Sequence, residues 1–146
     1  MRISGLLRIS EAASLGLHSL AVLASGPEEA LATNRIALHL GVSEAHLSKV
    51  LQRLARAGFV RSIRGPKGGF MLAKPKGQIT LLEVYESIEG PVSWNGCLLD
   101  APICGGDCIF GDLLKDVNGE VKTYLAGTTL AELSKGHAYA TKDSKD

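Results

Sequence analysis

Residues 34–72 read NRIALHLGVSEAHLSKVLQRLARAGFVRSIRGPKGGFML. Two short helices and a hairpin are legible in them. Thr33, just upstream, has the hydroxyl to cap a first helix, NRIALHL, which Gly41 closes. Ser43 caps a second, EAHLSKVLQRLARA, in which Leu47, Val50, Leu51 and Leu54 recur at helical spacing and point inward. Gly58 stops it. Two helices joined by as little as LGVS form a helix-turn-helix. The outer face of the second helix carries Ala45, His46, Ser48, Lys49, Gln52 and Arg53. These are small, hydrogen-bonding or cationic, as a helix entering a DNA major groove needs. FVRSI and FML then read as strands around RGPKGG, where Gly and Pro force a turn. A hairpin in this place is a wing, with Arg64 and Lys67 at its tip, within reach of phosphate or a narrow minor groove.

Charge supports the same division of labour. Residues 45–82 hold eight Lys/Arg and no Asp or Glu, while residues 83–120 hold eight acids against Lys115 alone. A charge run by itself is most often a solvated face. Here it coincides with the recognition helix and the wing, which favours a polyanion as the partner.

Upstream, Ser10 can cap a helix reaching about Ala24. Leu17, Leu20, Ala21 and Ala24 give it a core face, and Glu11, Ser14, His18 and Ser25 share the other. Downstream, KPKGQ reads as a linker. Thr80 and Glu83 then form a T-x-x-E capping box, with Ile79 placed to staple against Val84, and Gly90 and Pro91 end that helix. From Asp107 the pattern turns helical again. Phe110, Leu113, Leu114, Val117, Val121, Tyr124 and Leu125 form an apolar stripe that can pack on its own domain or on a second copy. Residues 136–146, GHAYATKDSKD, read as a frayed tail.

Between these helices lie all three cysteines, Cys97, Cys104 and Cys108, spaced C-x6-C-x3-C. Thiolates bind iron–sulfur clusters and zinc alike, and spacing alone does not separate the two. Cys108 is expected near a helix start, where the dipole favours a thiolate. Reduced cysteines packed as small apolar residues are the plain alternative.

The 146-residue chain is 45% hydrophobic and 21% charged, as soluble globular proteins are, and holds no apolar run long enough to span a membrane. MRISGLLRIS lacks the apolar core and cleavage site of a signal peptide. A cytoplasmic protein is expected, where an odd, clustered set of cysteines favours metal or redox chemistry over disulfides. A thiol-redox enzyme would call for C-x-x-C and leave the basic helix and wing without purpose. No enzyme is expected, and no membrane partner.

HLSKVLQRLARAGFVRSIRGPKGGFMLAKP followed by ITLLEVYESIEG resembles the Rrf2 family of bacterial transcription regulators, over roughly residues 9–133. The resemblance implies a mainly α fold with a small β-hairpin wing: a winged helix-turn-helix plus a long C-terminal dimerisation helix. The expected division is a DNA-binding domain over residues 1–77, a cluster-binding loop and dimerisation helix over 78–135, and a flexible tail over 136–146. The resemblance also implies a homodimer on a double-stranded DNA operator. An iron–sulfur cluster on Cys97, Cys104 and Cys108 would set operator affinity, as a sensor of redox state, nitric oxide or iron–sulfur status. A [2Fe–2S] cluster is favoured, and [4Fe–4S] remains possible. Members with a histidine ligand three residues after the last cysteine have it where Gly111 stands here. In other members a first-helix residue of the partner caps the cluster. That alignment puts Ser14 at an acidic ligand position and His18 at a histidine one, so His18 is the expected fourth ligand, with Glu11, an external thiol or water as alternatives. The competing function is a winged-helix DNA-binding regulator with a structural zinc or a small-ligand pocket and no cluster.

Overall fold

The structure, a computed structural model, describes residues 7–92, 97–99 and 101–135. The expected tail over 136–146 lies outside them. Helix α1, Glu11–Ser25, starts where expected: the Ser10 hydroxyl accepts the Ala13 N–H at 3.0 Å. It is buried on more than the one face its leucines mark, with Ala13, Leu15, Gly16 and Ser19 to Ala24 all inside. Its small residues let neighbours approach. A side chain at Gly16 would run into Ile88 of a later helix. Ser19 is fully buried and satisfies its hydroxyl by donating to the Leu15 carbonyl at 2.5 Å.

Helix α2, Thr33–Leu40, corrects one expectation: Ala32 stands at its N-cap and no side chain caps it, while Thr33 is already helical. The reason lies one residue upstream. Leu31 exchanges two 2.9 Å backbone hydrogen bonds with Phe70, which keeps the chain extended until Ala32. Gly41 closes α2 in the left-handed region at φ +67°, and Ser43 accepts from the His46 N–H to open α3, Glu44–Arg56. The hairpin is β1, Val60–Ile63, against β2, Gly69–Leu72, antiparallel with Val60 opposite Leu72 and Ile63 opposite Gly69. Gly69 is required there: at φ +149° its missing Cβ would strike the Leu31 carbonyl that docks the hairpin.

The segment read as a linker is instead a 3-10 turn, Lys76–Gln78, tied down by the Lys76 ammonium donating to the Ala24 carbonyl. Helix α4, Leu81–Glu89, has the expected capping box, with the Glu83 carboxylate accepting the Thr80 N–H at 3.0 Å and the Thr80 hydroxyl accepting the Glu83 N–H at 3.2 Å. Ile79 and Val84 are both fully buried. Helix α5, Leu113–Gly127, begins six residues later than the sequence suggested. Gly111 sits at φ +57° and its N–H reaches the Cys108 carbonyl, so residues 109–112 form a turn rather than helix. No residue of α5 is buried within the chain.

A short helix α6, Leu130–Lys135, was not anticipated. Thr129 and Glu132 make a second capping box, and backbone bonds from Leu81 to Thr128 and from Leu130 to Ile79 pin it beside the start of α4. Leu130 is fully buried and belongs to the same core as Leu20 of α1, Leu47 and Leu54 of α3, and Val84 and Ile88 of α4. The cysteine loop and α5 thus leave this core at Gly90 and return to it at Thr128.

Candidate nucleic-acid interface and cysteine loop

The leucine positions on α3 fix its rotation. Leu47, Val50, Leu51 and Leu54 are in the core, which leaves Ala45, Lys49, Gln52 and Arg53 exposed and His46 and Ser48 half-buried. Ser48 and Gln52 are close, with the Gln52 amide 3.4 Å from the Ser48 hydroxyl. Arg64 and Lys67 are exposed in the turn of the hairpin, which Leu31 braces by pairing with Phe70 beside the turn, while the Lys74 ammonium lies over the Phe59 ring near its base.

Two contacts of α3 were not visible in the sequence. His46 Nδ1 lies 3.6 Å from the Glu11 carboxylate at the start of α1. The Arg53 guanidinium donates through Nη2 to the Ile88 carbonyl in the last turn of α4, at 2.5 Å. Both join residues more than thirty positions apart, and no local pattern announces such a pair.

That last turn of α4 is held from several sides. The Ser10 hydroxyl donates to the Glu89 carboxylate. The Gly90 N–H reaches the Glu86 carbonyl, and the Val92 N–H reaches the Glu86 carboxylate at 3.0 Å. Gly90, at φ +86°, then turns the chain out toward the cysteines.

Of the three cysteines, Cys104 is exposed, and Cys97 and Cys108 are partly covered. The Leu99 N–H points at Cys97 Sγ from 3.3 Å. Cys108 lies five residues before α5, in a turn and not at a helix start, and lines a hollow of about 390 Å³ with Gly106, Asp107, Gly111, Asp112, Leu114 and Lys115. Among the described residues no three His, Cys, Asp or Glu side chains converge as a ligand set. In kind, three accessible thiols on a glycine-rich loop fit a thiolate-bound centre. Asp100, Asp107 and Asp112 are the carboxylates of this loop, and Asp100 lies outside the described residues.

His18 is exposed on α1, remote in sequence from the loop. Its Nδ1 lies 2.7 Å from the Ser14 carbonyl and 3.4 Å from the Ser14 hydroxyl. A carbonyl only accepts, so Nδ1 carries the hydrogen and the neutral ring keeps its lone pair on Nε2. This is the orientation that backbone carbonyls impose on metal-binding histidines.

The sequence matches the Rrf2 family model, described as an iron-dependent transcriptional regulator, over residues 9–136. The HTH-type transcriptional regulator IscR of Cronobacter sakazakii is 35% identical over 94 residues, which cover 64% of this chain and 58% of that relative. The chain thus spans little more than half the length of that relative. The structure is similar to CymR, the global cysteine regulator of B. subtilis, with a TM-score of 0.76 and 28% identity over 90% of this chain and 99% of that one. It shares its fold with T. potens IscR, at TM-score 0.71 and 24% identity over 89% and 88% of the two chains. No helix among the described residues is long and apolar enough to cross a membrane.

Proposed function

Because the chain belongs to the Rrf2 family, we propose that it is a DNA-binding transcription regulator, working as a homodimer, whose operator affinity is set by an iron–sulfur cluster on the cysteine loop. One observation carries this reading. The cationic face of α3 is bonded through Arg53 to the last turn of α4, and the chain leaves that turn through Val92 toward the thiol-bearing segment. A change in the loop therefore has a short physical route to the DNA-reading helix.

On DNA, α3 enters the major groove with Ala45, His46, Ser48 and Lys49 toward base edges and Gln52 and Arg53 nearer phosphates. Arg64 and Lys67 reach the backbone or minor groove from the hairpin. Cys97, Cys104 and Cys108 hold the cluster as thiolates. His18 of a second copy supplies the fourth ligand through Nε2, which the Ser14 carbonyl leaves free. When bound, the cluster supplies a one-electron redox centre whose potential depends on its ligands, and histidine ligation favours [2Fe–2S] at raised potential. His18 then ties one subunit's DNA-binding face to the other's loop.

The test is anaerobic purification with iron, acid-labile sulfide and zinc analysis, beside the same analysis of His18→Ala. The reading expects iron and sulfide, visible absorbance, and an altered spectrum in the variant. Colourless protein with bound zinc would establish the zinc alternative instead. An unaltered spectrum and midpoint potential in His18→Ala would remove His18 from the ligand set.

A further inference from the structure

The last turn of α4 does more than end a helix. It is where the recognition helix, the first helix and the entrance to the cysteine loop meet. Arg53 bonds the Ile88 carbonyl, and the Ser10 cap of α1 bonds Glu89. Glu86 holds both amides that lead the chain out, Gly90 through its carbonyl and Val92 through its carboxylate. The Ile88 side chain is buried against α1 at Gly16, where a Cβ would run into its Cδ1, with Val50 of α3 also close. Ile88 is thus clamped by packing on one side and by a guanidinium on the other.

Arg53 is the unusual member of this set. It projects from the exposed side of α3, where a phosphate contact would also want it. A guanidinium has five N–H donors in a rigid plane, and only one is committed to Ile88. The carbonyl at a helix C-terminus carries partial negative charge, so it competes for the same cation that DNA attracts. Any shift of the last turn of α4 moves that carbonyl and reorients the fork.

Resting on the proposed function above, we infer that Arg53 is the positioning residue through which the cysteine loop controls DNA binding. The Ile88 carbonyl aims its guanidinium, and the state of the loop moves that carbonyl by way of Gly90 and Val92. Lysine cannot replace it, because an ammonium keeps the charge but lacks the planar fork.

Operator affinity of the full chain is measured anaerobically in the cluster-loaded and chelator-stripped states, at several salt concentrations, for the wild type, Arg53→Ala and Arg53→Lys. The wild type should show a loaded-to-stripped ratio away from one by about tenfold, within the usual range of allosteric coupling. Both variants should bring that ratio to within about twofold of one, with Arg53→Lys keeping the wild-type salt slope. Amide exchange of the stripped, DNA-free protein gives a second readout: Gly90 and Val92 should lose protection in Arg53→Ala. Gly90→Ala, strained at its positive φ and remote in sequence from α3, should change the ratio too. If both Arg53 variants weaken the two states equally and leave the ratio intact, Arg53 is a phosphate contact only and the inference is overturned. Unchanged exchange at Gly90 and Val92 overturns it as well. A wild-type ratio of one defeats the proposed function itself, and this inference with it.

Discussion

Lys49 on α3 and Arg64 beyond β1 are both exposed, and each is assigned here to reading DNA. Lys49→Ala should cost about 1–3 kcal/mol at the correct operator and relax discrimination at one base position. Arg64→Ala should weaken specific binding too, while Lys67→Ala should weaken all sequences alike and lower the salt slope by about one. Fluorescence anisotropy against operator and scrambled duplexes at several salt concentrations reads all three. Unchanged operator affinity in Lys49→Ala and Arg64→Ala would remove α3 and the hairpin as the DNA surface. These exposed residues were legible from sequence because the leucines of α3 set its phase. Their neighbours were not. The contacts of His46 with Glu11 and of Arg53 with Ile88 depend on how α1 and α4 pack against α3, and packing leaves no local signature.

Helix α4 carries a complete local signal and lies where the sequence places it. Thr80 and Glu83 announce α4, and the structure gives both hydrogen bonds of the capping box. Thr80→Ala should therefore destabilise the fold by about 1 kcal/mol, measured by urea unfolding. The Thr80 N–H holds the Glu83 carboxyl below its ordinary value of 4.5. A lowered folded pKa stabilises the fold above the unfolded value, and the gain is lost as pH falls through the folded one. The stability gap between wild type and Glu83→Ala should hold above about pH 4.5 and narrow below it; because the carboxylate is exposed, the effect is small. A gap that widens toward acid contradicts this account of the cap. Where a long-range contact intervened, the local reading failed. The Leu31–Phe70 pairing moved the start of α2 past its expected cap; the delay of α5 has a local cause instead, the turn at left-handed Gly111. The second capping box, Thr129 with Glu132, was present in the sequence as T-x-x-E. The apolar stripe before it reads as the single C-terminal helix, although Leu130 belongs to the core.

For the molecule as a whole, the apolar surface left by folding is concentrated after Gly90. Ile103, Ile109, Phe110, Leu113 and Tyr124 are all exposed, and α5 buries none of its residues within the chain. The homodimer proposed here covers this stripe with its symmetry mate, an isologous contact. Replacing Leu113 and Tyr124 together by lysine should give a folded monomer by sedimentation velocity at micromolar concentration, with operator binding much weakened. A wild-type monomer that still binds its operator would contradict the dimer. The winged helix-turn-helix was legible because the Ser10 and Ser43 caps, the Gly41 turn and the hydrophobic phase of α3 agree, even though the expected Thr33 cap does not form. The cysteine loop was legible only in its donors, because no local pattern sets how Cys97, Cys104 and Cys108 are arranged in space. The central claim, that the loop governs DNA binding, comes down to one titration. Operator DNA is titrated anaerobically with wild-type protein carrying its cluster and with the same preparation after chelation. The account predicts dissociation constants differing by about tenfold or more between the two states; equal constants in protein shown to hold iron and sulfide would contradict it.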